Sequence, residues 1–210
     1  MEFNNLHIVS HPLIKDKLAS IRNKDTTSPK FKALVNEVAM LMVYEITKDI
    51  HVEPIEIETP VGKAKCEVCS HQILLVPILR AGIGMVEGIL NLIPSAKVGH
   101  IGIFRDEKTL QPNTYYFKIP LEAKSMDIIV IDPMLATGGS VTAAIDRLKS
   151  KGCTNSKFLC LVSAPEGGKR LNEAHPEVPI YTAVLDERLN DKGYIVPGLG
   201  DAGDRLFGTI

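Results

Sequence analysis

Ile128-Ile129-Val130-Ile131 is a solid apolar run that ends in Asp132 and passes through Pro133-Met134-Leu135-Ala136-Thr137-Gly138-Gly139-Ser140 into a helical pattern from Val141 to Gly152. A strand without polar alternation must be covered on both faces, and one that leads straight into a helix builds a parallel β-loop-α unit. The loop of small residues gathers free backbone N–H groups at the positive end of the helix dipole, which suits phosphate. Ser140 reads as the helix cap, and Asp132 as an acid facing whatever that phosphate is attached to. The chain lacks the Lys that G-x-x-x-x-G-K-[ST] supplies to outer phosphates, which excludes a P-loop kinase and favours a monophosphate.

The rest of the chain extends this unit. His11 to Arg22, with Leu13, Ile14, Leu18 and Ile21 on one face, and a second segment begun by Ser28-Pro29, with Phe31, Leu34, Val35, Val38, Leu41 and Met42, read as core-packing helices. Ile55 to Thr59 and Lys63 to Val68 alternate about Pro60-Val61-Gly62, a hairpin. Solid strands then recur at Ile73 to Leu79, Val98 to Phe104, Lys157 to Val162 and Ile180 to Leu185, with helices through Ile93, over Val141 to Lys151 and over roughly Gly167 to Ala174. The expected fold class is α/β, a mainly parallel twisted sheet flanked by helices. We expect a single domain, with N-terminal helices over about 11–50, a core over about 73–185 and a glycine-rich C-terminal segment over about 186–210 with no regular element.

Ligands in such sheets sit beyond the C-terminal strand ends. Three unusual segments follow strands and should meet there: Arg80-Ala81-Gly82, Arg105-Asp106-Glu107, and Asp132 to Ser140. Gly82-Ile83-Gly84-Met85-Val86-Glu87-Gly88 imitates a dinucleotide fingerprint with one residue too many, and the next strand ends in Arg105 rather than an acid. With Arg80 in the turn, this reads as a second anion-binding loop. Two guanidinium forks, Arg80 and Arg105, suit a pyrophosphate. Arg105 to Lys118, including Asp106, Glu107 and Lys108, has the length and polarity of a flap, hairpin-like through Tyr115-Tyr116-Phe117.

Other chemistries are excluded or weakened. The 24 Lys and Arg balance 25 Asp and Glu, a net charge of -1 without the basic run that nonspecific nucleic-acid binding needs. No apolar run approaches the roughly 20 residues of a membrane helix, and Met1 to Ser10 lacks a signal-peptide pattern, so a cytoplasmic location without membrane contact is expected. Cys66 and Cys69 form a single C-x-x-C whose would-be partners Cys153 and Cys160 stand at the wrong spacing for zinc; reduced, structural thiols are favoured. None of the 6 histidines pairs at metal-ligand spacing, His7 falls in a loop, and no G-x-S-x-G elbow is present.

Asp132 to Ser140, with its acid, T-G-G-S loop and nearby arginines, resembles the phosphoribosyl pyrophosphate (PRPP) loop of type I phosphoribosyltransferases. Most of that family has two adjacent acids at the strand end; Pro133 stands in the second position here, and Asp-Pro-Met-Leu-Ala-Thr-Gly-Gly-Ser is similar to the uracil branch. Pro77 to Gly82, Ala164-Pro165-Glu166-Gly167 and Gly193-Tyr194 to Asp204 with Arg205-Leu206-Phe207-Gly208-Thr209 agree with that branch, from about His11 onward. The resemblance implies the type I phosphoribosyltransferase fold with a β-hairpin flap and an irregular C-terminal hood. It implies conversion of uracil and PRPP to UMP and pyrophosphate, with Mg2+ bound alongside PRPP.

Carried over residue by residue, Asp132, Pro133, Met134, Leu135, Ala136, Thr137, Gly138, Gly139 and Ser140 would bind PRPP together with Arg80, Arg105 and Asp201. Ile195, Gly200, Asp201 and Ala202 would edge the uracil. Asp132 would stabilise the ribose in the transition state and Arg105, on the flap, the pyrophosphate; no side chain would ligate the metal directly, with Asp201 a second-shell anchor. A GTP effector and a homodimer or higher homo-oligomer are further implications. The alternatives are an RNA-binding pyrimidine attenuation regulator on the same fold, or a phosphoribosyltransferase for another base.

Overall fold

The computed structural model describes residues 5–105 and 112–209, the side chains of Arg105 and Pro112 excepted. Strand β1 (Leu6–Ile8) precedes helices α1 (Pro12–Arg22) and α2 (Ser28–Ile46). Each helix has a proline in its first turn, where no N–H partner is needed, and His11 Nδ1 accepts the Leu13 N–H at the start of α1. The hairpin follows as β2 (Val52–Glu58) and β3 (Lys63–Cys69), paired in register from Val52↔Cys69 to Glu58↔Lys63.

Next come β4 (Ile73–Leu79), α3 (Ile83–Leu92), β5 (Lys97–Val98), β6 (His100–Arg105), β7 (Pro112–Lys118), β8 (Asp127–Ile131), β9 (Met134–Leu135), α4 (Gly139–Lys149), β10 (Ser156–Ser163), α5 (Pro165–Ala174) and β11 (Ile180–Leu185). The tail carries β12 (Arg188–Leu189), β13 (Ile195–Val196) and α6 (Ala202–Phe207). The main sheet runs β1-β11-β10-β8-β4-β6-β7, with β5 beside β4 and β9 beside β10; every pairing is parallel except β6 with β7.

Alternate residues of each central strand go to opposite cores. Leu75, Ile129, Ile131, Leu159 and Leu161 face Phe31, Val35, Met42, Met85 and Ile89 of α2 and α3. Leu74, Val76, Ile128, Val130, Phe158 and Cys160 face Ala144, Ile145, Leu148 and Leu171 of α4 and α5. This two-sided cover is why the strands read as solid apolar runs. Gly88 sets the spacing of α3 on α2: a Cβ there would stand 2.1 Å from the Asn36 carbonyl oxygen, while its N–H donates to Asn36 Oδ1 at 2.7 Å.

Several expectations change. His7 lies in β1 with its ring stacked on Tyr181, because that edge strand forms only by pairing with β11. Leu13 is exposed, and α1 buries Ile14, Leu18 and Ile21 instead. The tail is not without regular elements: β13 pairs with β12, and α6 is capped by Asp201. All four cysteines are free, but only Cys153 and Cys160 are buried; Cys66 and Cys69 lie on β3 of the hairpin, partly and fully exposed. Among the described residues no helix is long and apolar enough to cross a membrane.

Candidate active site

Strand order reverses between β4 and β8: the chain leaves β4 toward β6 and β7, and leaves β8 toward β10 and β11. A crevice must open where the connections diverge, at the C-terminal ends of these strands. The turn Arg80-Ala81-Gly82 and the loop from Asp132 to Ser140 are its two walls. Gly82 brings them together, since a Cβ there would stand 2.4 Å from the Ile131 carbonyl oxygen and 2.7 Å from the Ile78 nitrogen. Gly84 packs on Leu206 and Gly88 on α2, so these glycines of the imitation fingerprint serve close packing, while Arg80 supplies the turn's charge for an anion.

In the loop, Gly138 holds φ at 76°, a left-handed conformation that costs other residues energy, and the position its Cβ would take is 2.9 Å from the Gly167 carbonyl oxygen. Gly138, not Ser140, is therefore the N-cap of α4, with Ser140 inside the first turn, and Thr142 bonds back to the Gly138 carbonyl. Gly167 of α5 closes on the loop from behind: its Cβ would stand 2.4 Å from the Ala136 carbonyl oxygen. Among the described residues, the backbone N–H groups of Ala136 through Val141 donate to no protein acceptor. They form a nest at the positive end of α4, shaped for the oxygens of one phosphate.

Asp132 sits half-buried at the end of β8, with only the Met134 N–H, at 3.4 Å, reaching its Oδ1. Burial pushes its carboxyl up to about 7, the Met134 N–H opposes that, and the Asp201 carboxylate adds to it. A carboxylate so poorly satisfied is poised to accept hydroxyls or to face developing positive charge. Asp201 caps α6 by accepting the Asp204 N–H on Oδ1 at 2.9 Å. A Cβ on Gly203 would stand 3.2 Å from Asp201 Oδ1, 3.9 Å from Ala81 Cβ and 3.9 Å from Arg80 Nη2, and Arg80 Nη2 lies 3.6 Å from Asp204 Oδ1. The crevice thus joins Arg80, Asp132, the nest, Asp201 and Ala202.

Of the other expected residues, Ile195 is buried beneath the hood and pairs with Leu189. Gly200 holds φ at 79° and lines a cavity of about 380 Å³ with Arg22, Tyr194, Gly198, Asp201 and Arg205. Arg105 ends β6, the strand beside β4, so its backbone reaches the same sheet edge; its side chain, and Asp106, Glu107 and Lys108, lie outside the described residues.

Four further contributors had no role assigned from the sequence: Glu166 and Arg205 lie within matched segments, Arg22 and Arg170 in none. Arg22 grips Asp186 with two hydrogen bonds (2.9 and 2.6 Å) and donates to the Gly198 carbonyl at 2.9 Å, while Asp186 accepts the Gly198 N–H at 2.8 Å. Arg205 donates to the Ile21, Asn23 and Leu199 carbonyls and lies over the Phe31 ring. Glu166, at the start of α5, accepts the Leu189 N–H and ties the hood to the loop's backing helix. Arg170, one turn along α5, puts Nη1 within 3.4 Å of the Cβ position at Gly139 and has no ion-pair partner among the described residues. The spacing of Gly167 to Arg170, one helical turn, is the only trace of this in the sequence.

A family model described as uracil phosphoribosyltransferase matches residues 8–209. The chain belongs to the uracil phosphoribosyltransferase family. It is 60% identical over 203 residues to the uracil phosphoribosyltransferase of Streptococcus mutans, covering 96% of this chain and 97% of that one. Against the uracil phosphoribosyltransferase of Geobacillus kaustophilus it is 60% identical over 205 residues, covering 97% and 98%. Among solved structures, the AQ2163 protein of Aquifex aeolicus superposes with a TM-score of 0.91 at 43% identity, over 96% of this chain and 97% of that chain. A hypoxanthine phosphoribosyltransferase of Staphylococcus aureus, at 13% identity and a TM-score of 0.51 over 76% of this chain and 75% of that chain, shares the fold alone.

Proposed function

We propose that the protein transfers the 5-phosphoribosyl group from PRPP to uracil, giving UMP and pyrophosphate in pyrimidine salvage. The observation that carries this is the nest of unpartnered amides from Ala136 to Val141 with Asp132 at its entrance, facing Arg80 and the Asp201–Ala202 corner across the crevice. In this reading the nest holds the 5′-phosphate and Asp132 accepts the ribose hydroxyls. Breaking the anomeric C–O bond builds positive charge on the ribose and negative charge on the departing pyrophosphate; Asp132 faces the first, and Arg80 and Arg105 neutralise the second. The uracil nitrogen bonds to the anomeric carbon as pyrophosphate departs, and its proton passes to solvent water. Ile195, Gly200, Asp201 and Ala202 edge the base, largely through backbone groups, with Arg22 and Arg205 keeping that backbone in place.

Among the described residues no three His, Cys, Asp or Glu side chains stand together as a metal cage. The donors present fit a Mg2+ carried by pyrophosphate, ribose oxygens and water, with Asp132 and Asp201 beside it; when bound it would stabilise the leaving group. From the resemblance we extend the proposal to a cytoplasmic homo-oligomer, a dimer at least, with GTP as an effector. The exposed apolar side chains of the hairpin, Val61 at 97% and Ile55, Ile57 and Val68, support the oligomer, because an uncovered apolar arm is costly in water.

An assay with PRPP, Mg2+ and each of uracil, hypoxanthine, adenine and orotate tests the reading. UMP formation from uracil alone is the expected outcome. A nucleotide formed from another base, with no UMP, would overturn it.

A further inference from the structure

A groove on the side of the molecule away from the hood has a charge that the rest of the chain does not share. It is a cavity of about 410 Å³ between the end of β7, the turn after it and the C-terminal half of α4. Lys118, Lys124, Arg147 and Lys151 line it, and among the described residues no acid does. None of the four makes an ion pair among the described residues. The acids nearest in sequence are turned to other partners: Glu122 to Lys97, Asp146 to His175, and Asp127 to Asn155 and His71.

In a chain with 24 basic and 25 acidic residues, four cations in one concavity without a counter-charge repel one another. All four are exposed, so water and salt screen that repulsion, but a multivalent anion entering the concavity would interact with several of them at once. The floor is apolar, with Cys153 and Ala123 buried, and Arg147 lies over the Phe117 ring at 5.1 Å. A second cavity of about 620 Å³ along Asn113 to Tyr116 shares Phe117 and Arg147 with the first, so the groove continues along the outer face of β7. Cation-lined and compact, with an aromatic ring at its centre, it has the size of a small-molecule site rather than of an extended nucleic-acid track.

We propose that this groove is a second anion site, separate from the nest at α4's other end, that takes a polyphosphate. Its phosphates are held by Lys118, Lys124, Lys151 and Arg147, and in a nucleoside polyphosphate the base lies against Phe117. The inference does not depend on the transfer reaction, and its test reads binding alone.

Calorimetric titration of the whole protein with inorganic tripolyphosphate, at low and at physiological salt, is the measurement. Lys124→Glu with Lys151→Glu, both at exposed positions, should lower the affinity at this site at least tenfold with an unchanged melting temperature. Arg80→Ala, which weakens the crevice, should leave it intact. ATP run in parallel separates the two sources: equal affinity assigns the groove to inorganic polyphosphate, and tighter binding that Phe117→Ala removes assigns it to a nucleotide. Tripolyphosphate binding untouched by the double substitution, or wholly abolished by Arg80→Ala, would overturn the proposal. So would a single-stranded RNA that binds more tightly than tripolyphosphate and is lost with the same two lysines.

Discussion

At the residue scale, Asp132 is set apart by being held near 7 with almost no hydrogen bonding. In the unfolded chain the same carboxyl titrates near 3.8, so between these values the native state binds the proton more tightly. The stability this contributes is fully present below the ordinary value and is lost as pH rises through about 7. Asp132→Asn, which carries no charge, should therefore raise the ligand-free protein's stability at pH 8 by about 1 kcal/mol, read by urea melts, with little gain at pH 4. The same substitution should lower turnover by roughly a hundredfold or more, because the charge facing the ribose is gone. In the wild type, kcat/KM for PRPP should fall as pH drops below about 7, following protonation of the free enzyme's Asp132. A pH profile flat from 5 to 8 would remove Asp132 from that role.

Gly138 belongs to the same scale. Its positive φ and the nearby Gly167 carbonyl leave no room for a methyl group. Gly138→Ala should cost about 1–3 kcal/mol and raise KM for PRPP far more than KM for uracil, measured by initial rates with each substrate varied. This loop was legible in the sequence because its chemistry is local: strand, acid, glycines and helix are contiguous. Arg170, which reaches the same loop from α5, left no such mark because its approach depends on how two helices pack.

At the scale of elements, the hood is irregular by composition yet fixed by what holds it. Asp186 is 4% exposed, and Arg22 of α1 is the partner that makes its burial tolerable. Arg22→Ala should destabilise the protein by about 3 kcal/mol, since it strands a buried carboxylate and frees the Gly198 backbone. Its kinetic signature should be a raised KM for uracil with PRPP binding nearly unchanged, because the nest does not depend on this pair. Equal losses for both substrates would show that the hood and the nest are not separable in this way. None of this is readable from spacing: 164 residues separate Arg22 from Asp186, and 184 separate Arg205 from Ile21. A tail read as too glycine-rich for regular structure gains α6 because Asp201 caps it and Leu206 packs beside Gly84.

At the scale of the whole molecule, the parallel character of the sheet followed from a single physical rule. Strands buried on both faces are apolar throughout and alternate with helices, so the central strands and a crevice beyond their C-terminal ends could be anticipated, whereas the strand order and its reversal between β4 and β8 could not. The edges could not, since β1 is only three residues long and forms by pairing with a strand far away in sequence. Asn5 reinforces that edge by donating to the Val178 carbonyl at 2.8 Å. Removing residues 1–8 should expose the flank of β11, lower the melting temperature by several degrees and promote concentration-dependent association, read by scanning calorimetry and light scattering.

That edge, together with the Arg22 and Arg205 clasps, has a consequence for biosynthesis. The amino-terminal strand and the end of the first helix, at Ile21 and Arg22, have partners beyond residue 177, although the body of that helix packs on α2. A chain emerging from the ribosome at about 5–20 residues per second can assemble its central strands, but the end of its first helix must wait for the hood. The corner proposed to hold the base is thus completed only as the final stretch is released, and a chain halted before Asp186 would carry a phosphate nest faced by the Arg80 turn but without its hood.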